Sequence, residues 1–358
     1  MKVCILGFNL SSLTLAKALV NQNINVDMFV SKKNYITDKS RTLGISKSNI
    51  EFFNKDIINI EKIIWKLKKI EIFTENLKKK KILNFEKSND QLFSITKNFQ
   101  LVNLLENSLS KNKYFKKKTS RISLNKLNYY NLVINTDYLN LITLKYFNKK
   151  IKKKYNSSAF TTTIKHSEIE NNVATQIFTS KGPLAFLPIS KRETSIVYSI
   201  HNKSLKTKED IEVLIRNYNF KYDIKKIEKI SSFELKSVAL RSYYHENILA
   251  FGDMLHKIHP LAGQGFNMTI RDIKALSGLI KKKIDLGLPL DKSIIIEFEK
   301  ISKHKNYIFI NGIDLIHEFF NFERKLKSNI LSKSVQFFGK NNSVNKIFTK
   351  IADEGIFF

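Results

Sequence analysis

The chain has 358 residues, 42% of them hydrophobic, with only 4 prolines and 11 glycines; that is room for two ordinary domains and a substantial core, and it argues against a disordered, repetitive or linker-built protein. Its 62 Lys+Arg against 32 Asp+Glu give a net charge of +30, but the lysines are spread in short solvated runs such as 78–81 and 116–118 with no nucleic-acid-binding motif beside them, so nucleic acid is set aside and an acidic lipid surface is kept as a partner. The single Cys4 lies in an apolar run, no stretch approaches the ~20 uncharged residues of a membrane span, and no signal-peptide pattern opens the chain; the expectation is a cytoplasmic, reducing setting, with at most peripheral contact at the inner face of the plasma membrane.

Residues 2–6 read as a buried strand, 12–20 as a helix and 24–30 as a second strand, together a βαβ unit. A dinucleotide-binding fold places Gly-x-Gly-x-x-Gly at such a strand-to-helix turn, because the backbone must turn tightly and approach a pyrophosphate without a Cβ in the way. Here the three positions are Gly7, Asn9 and Ser12. Asn tolerates a left-handed backbone and Ser is small enough for close helix packing. Val30 stands where an acidic residue would hold the adenosine ribose. Taken alone, this turn reads equally well as a plain structural βαβ unit.

Further along, strands are predicted at 70–74, 82–85 and 93–97, then within 159–199 and at 230–238. The most informative stretch is 248–276. A short apolar strand ends at Gly252-Asp253; Pro260, Gly263 and Gly265 shape a loop; and a helix follows with Ile270, Ile273, Leu276 and Ile280 at helical spacing. Asp253 can accept hydrogen bonds from sugar-like hydroxyls, and the free N–H groups at 263–267 can face an electron-rich ring edge. His245, His256 and His259 raise a metal site, but no Cys or paired carboxylate joins them, so none is expected. The aromatic run 307–322 has helical spacing and reads more readily as a core-facing or inter-domain helix than as a lipid-binding face.

Gly252-Asp253, His256, His259-Pro260-Leu261-Ala262-Gly263-Gln264-Gly265-x-Asn267 and Arg271-Asp272 resemble the second FAD fingerprint of the flavin-dependent aromatic-ring hydroxylases, ubiquinone-biosynthesis type. Asp38-x-x-Arg41-x-Leu43 resembles that family's early arginine segment, Asn98 its asparagine before a helix at the FAD site, and Gly182 to Pro188 its substrate-domain strand that passes over the flavin. The middle fingerprint is reduced to Thr136-Asp137-Tyr138, with Leu141 and Leu144 near the places of the usual Ser and Arg.

The resemblance implies an α/β fold: a Rossmann-like FAD-binding domain (p-hydroxybenzoate hydroxylase-like) with an inserted mixed β-sheet substrate domain and C-terminal helices. The FAD domain would take 1–68, 98–147 and 243–285, the substrate domain 69–97 and 148–242, and the helical region 286–358, whose last part is amphipathic and basic and suits a membrane surface. The cofactors implied are FAD and, as reductant, NAD(P)H. The implied FAD contacts are Gly7, Asn9, Ser12, Arg41, Asp137, Gly252, Asp253, Pro260, Gly263, Gln264, Gly265 and Asn267; on the substrate side stand Pro183, Leu184, Phe186, Pro188 and His259. The implied reaction is O2-dependent hydroxylation of a prenylated aromatic in ubiquinone biosynthesis, alongside other proteins of that synthesis. A non-catalytic subunit with a degraded FAD site is the alternative, motivated by Asn9, Ser12 and Tyr138. No residue has a general-base role fixed by spacing.

Overall fold

The computed structural model describes residues 1–30, 39–75, 81–86, 91–119, 122–201, 209–258, 263–326, 350 and 353–354. The chain opens with β1 (Lys2–Leu6), α1 (Leu10–Val20), β2 (Asn25–Phe29), β3 (Thr42–Ser46) and α2 (Lys47–Phe52). It continues through β4 (Ile64–Leu67), β5 (Lys69–Thr74), β6 (Lys81–Glu86), β7 (Phe93–Lys97), α3 (Asn98–Ser110), β8 (Phe115–Lys118), β9 (Leu132–Asn135) and α4 (Leu141–Tyr146). Four longer strands follow, β10 (Lys150–His166), β11 (Val173–Thr179), β12 (Gly182–Pro188) and β13 (Glu193–His201), and then α5 (Glu209–Tyr218), β14 (Ile224–Ile227) and β15 (Ser231–Leu240). Last come β16 (Tyr244–His245), β17 (Ile248–Ala250), β18 (His256–Lys257), α6 (Gln264–Asp285) and α7 (Lys292–Leu326).

A six-stranded sheet has the order β16-β17-β9-β1-β2-β8, parallel except for β16. Val3, Cys4, Ile5 and Leu6 of β1 and all of β9 are buried, as expected where helices cover both faces of a parallel sheet. Helices α1, α3 and α6 supply that cover, with Leu13, Leu15, Leu101, Leu105, Ile270, Ile273, Leu276 and Ile280 in one core with the strands. Cys4 belongs to that core, and burial pushes its thiol well above the usual range, which makes it an inert apolar filler.

A nine-stranded sheet runs β18-β15-β10-β13-β12-β11-β5-β6, with β14 also paired to β10. Alternating burial along β12 puts Leu184 and Phe186 beside Ile196, Tyr198 and Ile200 of β13, where Ile211 and Ile215 of α5 cover them. A third, three-stranded sheet has the order β3-β7-β4. The strand expected at 93–97 is therefore present, but it pairs with β3 and β4 rather than joining the large sheet, because β3 and β4 offer it two free edges. Phe309, Ile310 and Ile313 of α7 pack on Phe178, Ile258 and Met268, so this part of 307–322 is a core helix that ties the large sheet to α6.

Candidate functional site

In the parallel sheet the chain leaves β1 toward β2 on one side, and β9 lies on the other. The carboxyl ends of β1 and β9 thus frame a topological switch point, the place where open α/β sheets bind ligands. A cleft of about 440 Å³ opens there. Its described lining includes the β1–α1 turn (Phe8, Asn9, Leu10, Ser11), the start of β3 (Arg41, Thr42, Leu43), Asn98, Thr136 and Tyr138, residues 233–236 of β15, and Asp253, 256–258, Gly263, Gly265 and Phe266.

The described residues between β17 and α6 build one wall. Phe251 N donates to Asn135 O (2.9 Å), and Gly252 turns with φ +64°, a conformation in which a Cβ would also meet Ser11 Cβ at 2.6 Å. The turn leaves Asp253 exposed at the cleft. The strand pair His256–Lys257 then crosses to β15 of the large sheet, Val238 against Lys257 and Ala239 against His256. Gly263, at φ +65°, stands at the N-cap of α6, and the first turn of that helix faces the cleft through Gly265 and Phe266.

Buried polar groups hold this wall in place. His256 Nε2 donates to Asp272 Oδ2 at 2.6 Å, and Asn306 Nδ2 donates to Asp272 Oδ1 at 2.9 Å, so one carboxylate joins β18, α6 and α7. Lys257 is held below the ordinary lysine range, first by desolvation, with Lys236 and Arg41 adding repulsion and Asp253 and Glu234 opposing. The Arg41 guanidinium lies over the Phe233 ring at 5.6 Å. Asn98 donates its backbone N–H to Arg41 O (3.0 Å), while its side-chain Oδ1 is buried without a hydrogen-bond partner. A buried acceptor in that state costs about 1–3 kcal/mol, which a ligand donor would recover.

The structure distributes the sequence-predicted residues unevenly. Asn9, Arg41, Asp253, Gly263 and Gly265 line the cleft together. Gly7 shapes it from behind, with φ +105° and a would-be Cβ 2.6 Å from Thr136 Oγ1. Pro260 and His259, with Asp38, lie outside the described residues. Asn9 is not left-handed: at φ −154°, ψ 176° it is the N-cap of α1, because its side chain is more useful to the helix start than a special backbone would be. Ser12 is fully buried as the other half of that cap. Asn267 is fully buried and spends its amide on the fold, accepting from Ser46 N (3.0 Å) and Asn49 Nδ2 (2.8 Å) and donating to Gly44 O (2.9 Å). Gln264 is buried in the first turn of α6, and Asp137 accepts from Leu139 N in the turn after β9.

Pro183, Leu184, Phe186 and Pro188 are absent from the described cleft lining; Leu184 and Phe186 point into the core under α5. The strand that walls the cleft is β15, through Phe233, Glu234, Leu235 and Lys236. Its alternating polar and apolar residues mark a half-buried strand in the sequence, but nothing local says which sheet edge meets the flavin-type segment. Of the histidines weighed for a metal, His245 stacks on Tyr146 (ring centroids 3.9 Å) and His256 pairs with Asp272.

The polar groups of the cleft are of the kinds that a flavin's sugar-alcohol chain and ring can use. Asp253 and Asn98 Oδ1 are acceptors for sugar-alcohol hydroxyls or ring N–H groups, and the start of α6 offers backbone donors with a positive helix end.

Residues 151–284 match the family model described as FAD binding domain. The ubiquinone biosynthesis monooxygenase COQ6, mitochondrial, of Schizosaccharomyces pombe is 23% identical over 273 residues, 63% of this chain and 57% of that protein. The mouse protein of the same name is 31% identical over 171 residues, 36% of each chain, and the ubiquinone hydroxylase UbiL of Rhodospirillum rubrum is 24% identical over 175 residues, 47% of this chain and 41% of that one. The chain thus spans roughly half the length of the curated relatives it matches. Among solved structures, the p-nitrophenol 4-monooxygenase PnpA of Pseudomonas putida superposes with a TM-score of 0.78 at 11% identity over 99% of this chain and 98% of that one. The HpxO protein of Klebsiella pneumoniae, complexed with FAD and uric acid, does so with 0.75 at 11% identity over 99% and 97%.

Proposed function

Taking as premise that the chain belongs to the FAD-dependent aromatic-ring hydroxylases, we propose that it uses FAD, NAD(P)H and O2 to hydroxylate the aromatic ring of a polyprenylated phenol in ubiquinone synthesis. The observation that carries this reading is the convergence, on one cleft at the sheet's switch point, of Asp253, the Asn98 acceptor and the N-terminal turn of α6.

When bound, FAD would supply the redox chemistry that activates O2. The chain's own residues bind, orient and shield. Asp253 and Asn98 Oδ1 receive hydroxyl and N–H donors. The Gly263–Gly265 turn lets backbone N–H groups come close to an electron-rich ring edge and stabilises negative charge there. Arg41, stacked on Phe233, brings positive charge to the same wall. Phe233, Leu235, Ile258 and Phe266 line the cleft with apolar surface, which excludes water from the reacting ring and suits an aromatic substrate. Relatives named as monooxygenases and hydroxylases support an enzyme, and the non-catalytic alternative is not carried further.

Among the described residues no helix is long and apolar enough to cross a membrane. Contact with a lipid surface is part of the proposal, supported by the net charge of +30 and by exposed Tyr307, Leu315 and Phe322 on α7; co-sedimentation with anionic but not neutral vesicles is the expected result.

The decisive experiment is flavin titration of protein purified without added cofactor, followed by absorption and fluorescence. Saturable FAD binding is expected, weakened about 10- to 100-fold in Asp253→Ala, the loss of about 1.5–3 kcal/mol typical of hydrogen bonds to a charged group. NAD(P)H oxidation stimulated by a short-chain prenylated phenol should accompany it. No saturable binding of FAD would overturn the reading.

A further inference from the structure

The polar groups around the cleft are not equally ready for a ligand. Where a dinucleotide fold keeps the helix end open, α1 is closed by its own residues. Asn9 Oδ1 accepts from Ser12 N at 2.9 Å, and Ser12 Oγ in turn accepts from Asn9 N at 2.9 Å and donates to Asn9 O at 2.8 Å. Asn9 Nδ2 also donates to Thr136 O and Thr136 Oγ1, both at 3.2 Å, which pins the carboxamide between α1 and the end of β9. Of the first-turn donors of α1, Ser12 N is spent on this cap. The carboxamide oxygen thus takes a donor that a phosphate could otherwise use at such a helix start.

The surroundings agree. β2 ends at Phe29 and is followed by apolar Val30, where a dinucleotide fold places the acidic residue that holds the ribose. The Lys117 ammonium sits 4.2 Å over the Phe8 ring and is paired with Glu106 at 2.7 Å, so that cation is already partnered. Elsewhere in the lining Asp253 is exposed and Asn98 Oδ1 is unsatisfied.

We infer that Asn9 is an internal stand-in for phosphate, and that it makes the site select the riboflavin half of its cofactor while gaining little from the phosphates and adenosine. The inference rests on the flavin reading above and adds to it which part of the cofactor is gripped. Asn9 is a specificity determinant in this role, locked by Ser12 and Thr136.

The test compares riboflavin, FMN and FAD binding by fluorescence titration, with FAD-induced thermal shift as a second readout, for the wild type, Asn9→Gly and Asn9→Asp. Glycine keeps most N-cap stability, and Asp keeps the acceptor for Ser12 N while adding negative charge. The expected wild-type affinities for the three flavins lie within about tenfold of one another. Asn9→Gly should tighten FAD about tenfold and enlarge its thermal shift, Asn9→Asp should weaken FAD about tenfold, and riboflavin should be unchanged in both. A wild type that binds FAD about 100-fold more tightly than riboflavin, or an Asn9→Gly variant with unaltered FAD affinity, would overturn this inference alone. Failure of all three flavins to bind would overturn the cofactor reading and this inference with it.

Discussion

Asp272 is the most exacting place to perturb the site, because its carboxylate is buried and serves two donors from two other elements, His256 Nε2 at 2.6 Å and Asn306 Nδ2 at 2.9 Å. Alanine there removes both acceptor oxygens. Leaving a buried donor unmade costs about 1–3 kcal/mol, so two such losses give roughly 2–6 kcal/mol, and some relaxation of Asn306 places the expected loss near 3 kcal/mol. Asp272→Asn retains one acceptor oxygen and turns an NH2 toward the other donor, so about half that loss is expected. Urea unfolding followed by circular dichroism measures both, and flavin titration reports whether β18 still shapes the cleft wall. A loss below about 1 kcal/mol for Asp272→Ala, or equal losses for alanine and asparagine, would refute the idea that this carboxylate ties β18, α6 and α7 together.

Gly182→Ala should lower stability by more than about 2 kcal/mol in thermal melts, since a Cβ there lies 2.0 Å from Ser199 O and the backbone holds φ +141°. Asp27 is subject to burial, which pushes its carboxyl up, but hydrogen bonds from Lys118, Tyr130 and Lys2 outweigh that and hold it below its ordinary value. Its contribution is therefore complete above the unfolded carboxyl value of about 3.9 and is lost as pH falls through the folded one; with both lysines partly exposed, Asp27→Asn should cost about 1 kcal/mol at pH 7 and progressively less below pH 4, read from urea midpoints. Arg271 is half-buried, but both terminal guanidinium nitrogens are buried without a hydrogen bond; the group lies 4.6 Å from the Phe309 ring centroid and is pushed down to about 10 by desolvation, against the pull of Asp272 and Asp353. Arg271→Met keeps the packing without the desolvated charge and is expected to raise the urea midpoint by the equivalent of about 1 kcal/mol; a lowered midpoint would count against this account.

The strand-turn-helix from Ile248 into α6 was legible because each of its signals is local: an apolar run, a turn residue pair, glycines, then helical spacing. Asn9 was not. The same residue type serves a left-handed turn or an N-cap, and the choice is fixed here by contact with Thr136, far away in sequence. Asn267 shows the same limit from the other side, since its position in a cofactor-type motif is local but the docking of β3, which consumes its amide, is not. Both β12 and β15 carry the alternation of a half-buried strand, and only the crossover through β18 decides that β15 forms the wall. The pairing of β7 with β3 and β4 is likewise a long-range choice that the strand's own residues do not encode.

The short run from β17 to β18 belongs to both large sheets, paired with β9 at Ile248–Ala250 and with β15 at His256–Lys257. Asp253 sits at the joint. A ligand fastened there would rivet two layers that are otherwise separate hydrogen-bonded units, so its arrival should slow proteolysis and hydrogen exchange in β15 as well as in β17, even though the two strands share no backbone ladder.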